Sequence, residues 1–129
     1  MKLDASLLVD ARRLNDAGKV ARAAEAVGFA GLWTPETQHN AFLPLALAAD
    51  HTAEIELGTA VAIAFPRSPM VTAQIAWDLQ SFSGGRFILG LGTQVKAHIE
   101  RRYGMAWDPP VPKLRDYIKA LRAIWHSWQ

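Results

Sequence analysis

The chain has no cysteine. Disulfides, thiolate metal sites and cysteine nucleophiles are thereby excluded, and the composition fits a cytosolic, cytoplasmic protein. Long apolar runs are missing too. None approaches the roughly 20 residues needed to cross a bilayer. The opening stretch MKLDASLLVDARR places acids inside its apolar run and lacks a cleavable signal pattern. Charge of one sign is also scarce: 14 Lys and Arg stand against 12 Asp and Glu, a formal net charge of +2. The basic residues are scattered, and the densest pair, Arg101-Arg102, has only Tyr103 as a neighbouring aromatic. Neither a membrane surface nor a nucleic acid is an expected partner. His51, His98 and His126 form no His-x-x-x-His or Glu-x-x-His pair, so no metal site is expected. The serines show no nucleophile elbow.

What is present alternates. Leu3–Val9 reads as a short apolar strand. Asn15 or Asp16 can cap a helix running to about Val27, with Val20, Ala23, Ala24 and Val27 on one face. Gly31–Thr34 reads as a second strand, followed by the polar loop PETQHNAF and an alanine-rich helix that Pro44 opens. Ile55–Ile63 is the third strand. Pro69 starts a long helix that Gly84 and Gly85 stop, and Phe87–Leu91 is the fourth strand. A short helix within Val95–Gly104 and a last helix from Lys113 to about Trp128 follow. In the last, Leu114, Ile118, Leu121 and Trp125 recur at helical spacing. Four βα units in one 129-residue domain, with no linker dividing them, imply a parallel sheet with right-handed crossovers. Two architectures satisfy this: an open doubly wound sheet, or half of a (β/α)₈ barrel, which takes about 250 residues when whole. Half a barrel leaves two parallel edges unpaired, and two copies related by a twofold axis could close it.

Two stretches could carry chemistry. SFSGGRFILGLGTQ holds four glycines, but Val95 stands where a dinucleotide fingerprint needs its third glycine. Leu91 stands where a Walker A loop needs lysine. Glycine inside a strand instead marks a bulge or a close backbone approach. PETQHN follows the second strand, at the end where barrel active sites lie. Its Glu36 and His39 suit acid–base work, or belong to a solvated loop leading into the helix.

Taken together, FPRSPMVTAQIAWDLQSFSGGRFILGLGT, AEAVGFAGLWTPE, IELGTAVAIAF and RRYGMAWDPPVPKLRDYIKALRAIW resemble the bacterial luciferase-like flavin and deazaflavin oxidoreductases. The resemblance runs over essentially the whole chain. TPETQHNAFLPLALAA and the ending Gly-Leu-Gly-Thr-Gln are most similar to the subset that uses coenzyme F420. The family fold is a TIM-type barrel, so the resemblance selects a (βα)₄ half of a (β/α)₈ barrel over the open sheet; its completion by a homodimer is the expectation drawn from the unpaired edges.

The resemblance also implies a site. A non-proline cis peptide at Ala60-Val61 would back the cofactor ring. Gly92 and Thr93 would lie at the neighbouring strand end, and Glu36 or His39 would supply the polar group over the reactive ring atom. Many relatives have histidine directly after the acid matching Glu36, where this chain has Thr37. The phosphate site common in TIM barrels uses loops after strands seven and eight, beyond these four units. The function so implied is hydride transfer between F420 and a small organic substrate. The alternatives are an FMN-dependent monooxygenase, and a truncated, non-catalytic dimeric scaffold or binding module.

Overall fold

The computed structural model describes residues 1–8 and 13–129, so Val9, assigned to the first strand from sequence, lies outside the described residues. The chain divides into two units, residues 1–62 with 78–90 and residues 63–77 with 91–129.

The first unit is built on a parallel sheet. Its strands are β1 (Asp4–Ser6), β2 (Gly31–Thr34), β3 (Glu56–Thr59) and β5 (Phe87–Ile88), in that spatial order. The register pairs Asp4 with Gly31, Gly31 with Glu56, Thr34 with Thr59 and Leu57 with Phe87. Leu7, Leu32, Leu57 and Phe87 are buried on this framework. Burial is near-continuous along the central strands β2 and β3, as a parallel strand covered on both faces needs, whereas β1 is largely exposed and β5 alternates. Helix α1 (Ala17–Val27) follows a single 3-10 turn at Leu14–Asp16, and α2 (Leu43–His51) has Pro44 in its first turn. Phe42 and Phe87 meet at 6.4 Å between ring centroids.

Several sequence expectations shift here. The side chain of Asp16 makes no capping bond and instead pairs with Arg13 at 3.1 Å. The apolar face assigned to α1 is not the buried one. Val20 is 47 % exposed and Val27 78 %, whereas Ala17, Gly18 and Ala21 are buried. The helix closes on small residues: a side chain at Gly18 would run into the His51 ring of α2. Branched residues there would hold the two helices apart. The third strand is not continuous. It breaks after Thr59 and resumes as β4 (Ala62–Ile63), with Ala60 and Val61 joined by a cis peptide bond. The fourth strand breaks as well, into β5 and β6 (Leu91–Gly92), and β6 pairs with β4. The long helix α3 (Pro69–Phe82) ends as expected, since Gly84 and Gly85 take φ of +68° and +88°, where a side chain would be strained.

The second unit holds α4 (Lys96–Arg101) and α5 (Pro110–Trp128) beside the first turns of α3. α5 begins three residues before Lys113 because Pro110 and Pro112 both fall in its first turn, where no amide is needed. Tyr117 and Leu121 are buried along it. The Tyr117 hydroxyl donates to the Ser68 carbonyl at 3.2 Å and meets Thr72 Oγ1 at 2.5 Å. Burial raises its pKa above that of an ordinary tyrosine, against opposing influences from Thr72 and Arg67. Trp125 Nε1 donates to the Ala73 carbonyl at 3.1 Å, and Trp77 and Trp128 stack edge to face at 5.4 Å.

Candidate active site

The C-terminal ends of β2 and β3 carry four of the residues singled out from sequence. After Thr34 the chain leaves β2 through a loop containing Glu36 and His39, both half-buried. The Thr34 hydroxyl donates to the Ala41 carbonyl at 2.7 Å and so closes that loop at its base. Asn40 Oδ1 accepts the amides of Phe42 and Leu43 at 2.8 and 3.4 Å, which turns the chain into α2. A cleft of about 50 Å³ opens between the ends of β1 and β2. His39 lines it, with Leu7, Leu8, Thr34 and Thr37 among its neighbours; Glu36 does not. The two candidates for the polar group are thus placed differently, and only His39 faces the cleft.

Ala60 and Val61 follow directly on β3. Both are exposed, Val61 to 44 %, although Thr59 and Ala62 on either side are buried. The Ala60 amide donates to the Thr34 carbonyl at 2.8 Å, so the peptide and the His39 loop share one anchor. Gly90 lies against the same segment. Its carbonyl accepts the Thr59 hydroxyl at 2.7 Å and the Ala62 amide at 2.8 Å, and its own amide donates to Thr59 Oγ1 at 2.9 Å. A side chain at Gly90 would collide with the Thr59 carbonyl oxygen. Close backbone approach, one of the readings of its sequence position, is therefore its role.

Gly92 and Thr93 belong to the second unit. The Gly92 carbonyl accepts the Ala64 amide at 2.9 Å, and Thr93 Oγ1 donates to the Gln94 carbonyl at 3.1 Å. Gln94 has φ of 57°, a left-handed conformation uncommon for a residue with a side chain, and its Oε1 accepts the Val95 amide at 2.9 Å. Among the described residues no group of three or more His, Asp or Glu is arranged to hold a metal ion. Likewise, no helix among them is long and apolar enough to cross a membrane.

The sequence pattern that defines luciferase-like monooxygenases matches residues 2–128. The chain belongs to this family. An uncharacterised protein of Mycobacterium tuberculosis is 52 % identical to this luciferase-like chain over all 129 residues, which span 37 % of that relative. In fold the chain is similar to the FMN-bound oxygenating constituent of 3,6-diketocamphane monooxygenase from Pseudomonas putida, with a TM-score of 0.83 and 18 % identity. The match covers 97 % of this chain and 40 % of that one. It is also similar to the coenzyme F420-dependent tetrahydromethanopterin reductase of Methanopyrus kandleri, with a TM-score of 0.76 and 26 % identity, covering 90 % of this chain and 38 % of that one. The luciferase-like chain is thus an α/β fold of parallel strands, four βα units of a TIM-type barrel, and it spans about two fifths of the proteins it matches.

The residues around Ala60-Val61 suit a flat aromatic ring. Ala60 and Val61 themselves present a methyl group and an isopropyl group, which carry no polar atom that a stacked ring would desolvate. Sequence reading passed over the polar residues beside it, Thr34 and Thr59. Their signal was present: both β2 and β3 end in threonine, and the register sets the two side by side.

Proposed function

We propose that this luciferase-like chain is an F420-dependent oxidoreductase that transfers hydride between the deazaflavin and a small organic substrate. The carrying observation is the exposed segment Ala60-Val61 between buried neighbours, tied through Thr34 to the loop that bears His39. Ala60 and Val61 would support one face of the ring. His39, rather than Glu36, would be the polar partner. When bound, the deazaflavin supplies two-electron hydride chemistry. The chain's own residues contribute an apolar support, a closed loop and an imidazole at the cleft, able to hold or pass a proton at Nδ1 or Nε2. At about 50 Å³ the cleft admits a water or one small substituent, not a ring.

A second reading keeps the site and changes the cofactor to FMN, for a monooxygenase. The family description and the FMN-bound fold neighbour favour it. Fluorescence titration of purified protein with F420 and with FMN separates the two, tighter binding of F420 being expected. Binding of neither would sink both and leave a non-catalytic scaffold.

The reading includes a second copy of the chain. Among the described residues β1 and β5 lie at the two ends of the sheet, each paired on one side. An exposed strand edge is a template for pairing with another chain, and twofold pairing of two such sheets would give eight strands. Light scattering with and without cofactor is expected to give the mass of a dimer; a monomer would contradict the pairing.

A further inference from the structure

Thr34 and Thr59 form the last register pair of β2 and β3, and each is 1 % exposed. Valine would fit such strand positions equally well in shape and in strand preference. Packing therefore does not call for the hydroxyls, and their partners do. Their main partners lie outside the strands, one in the loop after β2 and one in the break between β5 and β6. One is the Ala41 carbonyl, which closes the loop carrying His39. The other is Gly90, held through both its amide and its carbonyl. The Gly90 carbonyl also takes the Ala62 amide. One oxygen thus gathers the residues immediately before and after Ala60-Val61. The Thr34 carbonyl gathers Ala60 itself.

We infer that Thr34 and Thr59 are positioning residues of the candidate active site. Thr34 locks the His39 loop to the Ala60-Val61 peptide, and Thr59 fixes that peptide through Gly90. The ring-binding part of this inference rests on the function proposed above; the geometric part does not. Neither threonine touches reacting atoms in this scheme. Each acts by fixing the relative placement of groups that would, and small misplacements of such groups are costly.

The test compares Thr34→Val, Thr34→Ser, Thr59→Val and Thr59→Ser with the wild-type chain, by amide hydrogen exchange and by fluorescence titration with F420 and FMN. Thr59→Val is expected to speed exchange at Gly90 and Ala62. It should weaken the ring that the wild type binds by about tenfold, the scale of one hydrogen bond. Thr34→Val is expected to speed exchange in the loop amides and at Ala60, on the neighbouring strand. The serine variants keep the hydroxyl and should behave as wild type. If Thr34→Val leaves the Ala60 and loop amides as protected as before, the coupling is overturned. So it is if Thr59→Val binds the ring at wild-type strength, or if the serine variants lose as much as the valine variants, which would assign the effect to the methyl groups. A wild-type chain that binds neither ring refutes the proposed function alone, and the exchange measurements still decide the positioning claim.

Discussion

Glu25, half-buried on α1, spans 30 residues of sequence with one carboxylate. It accepts the amides of Ala53, Glu54 and Ile55, the last two at 2.7 and 2.8 Å. Desolvation raises its pKa, but the three amides together with the charge of Arg86 outweigh this and lower it below the ordinary carboxylate value of 4.5. A lowered folded-state pKa stabilises the fold above the unfolded value, and the gain is lost as pH falls through the folded value. Unfolding midpoints in urea are therefore expected to fall on acidification from about pH 4.5 downward, and Glu25→Gln to flatten that part of the profile. An unchanged acid limb in the variant would assign the dependence to other groups. Gly90→Ala tests the close approach: the methyl group meets the Thr59 carbonyl, and a loss of about 1–3 kcal/mol is expected in the same assay. Neither residue's role is legible in the sequence. Glu25 looks like any solvated helical acid, and Gly90 like half of a nucleotide motif. Both answer to backbone groups about 30 positions away, which local pattern does not encode.

At the scale of elements, punctuation was readable and contact was not. Gly84, Gly85 and Pro69 bound α3 where sequence placed its ends, because they act through their own backbone. The break in the third strand was visible only through family resemblance. IELGTAVAI reads as one continuous strand, and Ala60 and Val61 carry no local mark of a break. The buried face of α1 was misread for the opposite reason: hydrophobicity pointed to Val20 and Val27, while the packing with α2 selects for size. Arg86 shows how two elements are joined. Its guanidinium donates to Thr52 Oγ1 and to the carbonyls of Ile55, Thr52 and Ala49 at 2.9 to 3.3 Å, covering the C-terminal end of α2 and the turn into β3. Its Nε holds the Ser83 carbonyl at 2.7 Å. Arg86→Ala leaves these acceptors without their charged donor, and a loss of about 3 kcal/mol in denaturant unfolding is expected. Arg86→Lys should recover only part, since one ammonium cannot reproduce the planar fork. Full recovery by lysine would show that the charge, not the fork, is what matters.

At the scale of the molecule, the number of units and the parallel order were legible because strand and helix alternate along the chain. The occupant of the sheet edges was not, since an edge strand reads like any other. β5 bears directly on this. Phe87 is buried toward the first unit's own core, whereas Ile88, the next residue, is 41 % exposed on the other face. An apolar residue at an end strand of a parallel sheet is a liability in an isolated chain, and proteins commonly guard such positions with charge. If a second copy covers this face, a charge there should prevent association without disturbing the fold, because Ile88 contributes little to the buried core of its own chain. Ile88→Lys is therefore expected to be monomeric by light scattering, with the wild-type circular dichroism spectrum and an unfolding midpoint that no longer depends on protein concentration. Because Ala60, Val61 and the His39 loop lie within one chain, the monomeric variant also separates two demands on cofactor binding. Retained affinity for the ring would mean that one chain's platform suffices, whereas loss of affinity together with dimerisation would mean that the partner completes the pocket. A wild type and a variant of equal mass would remove β5 from the interface.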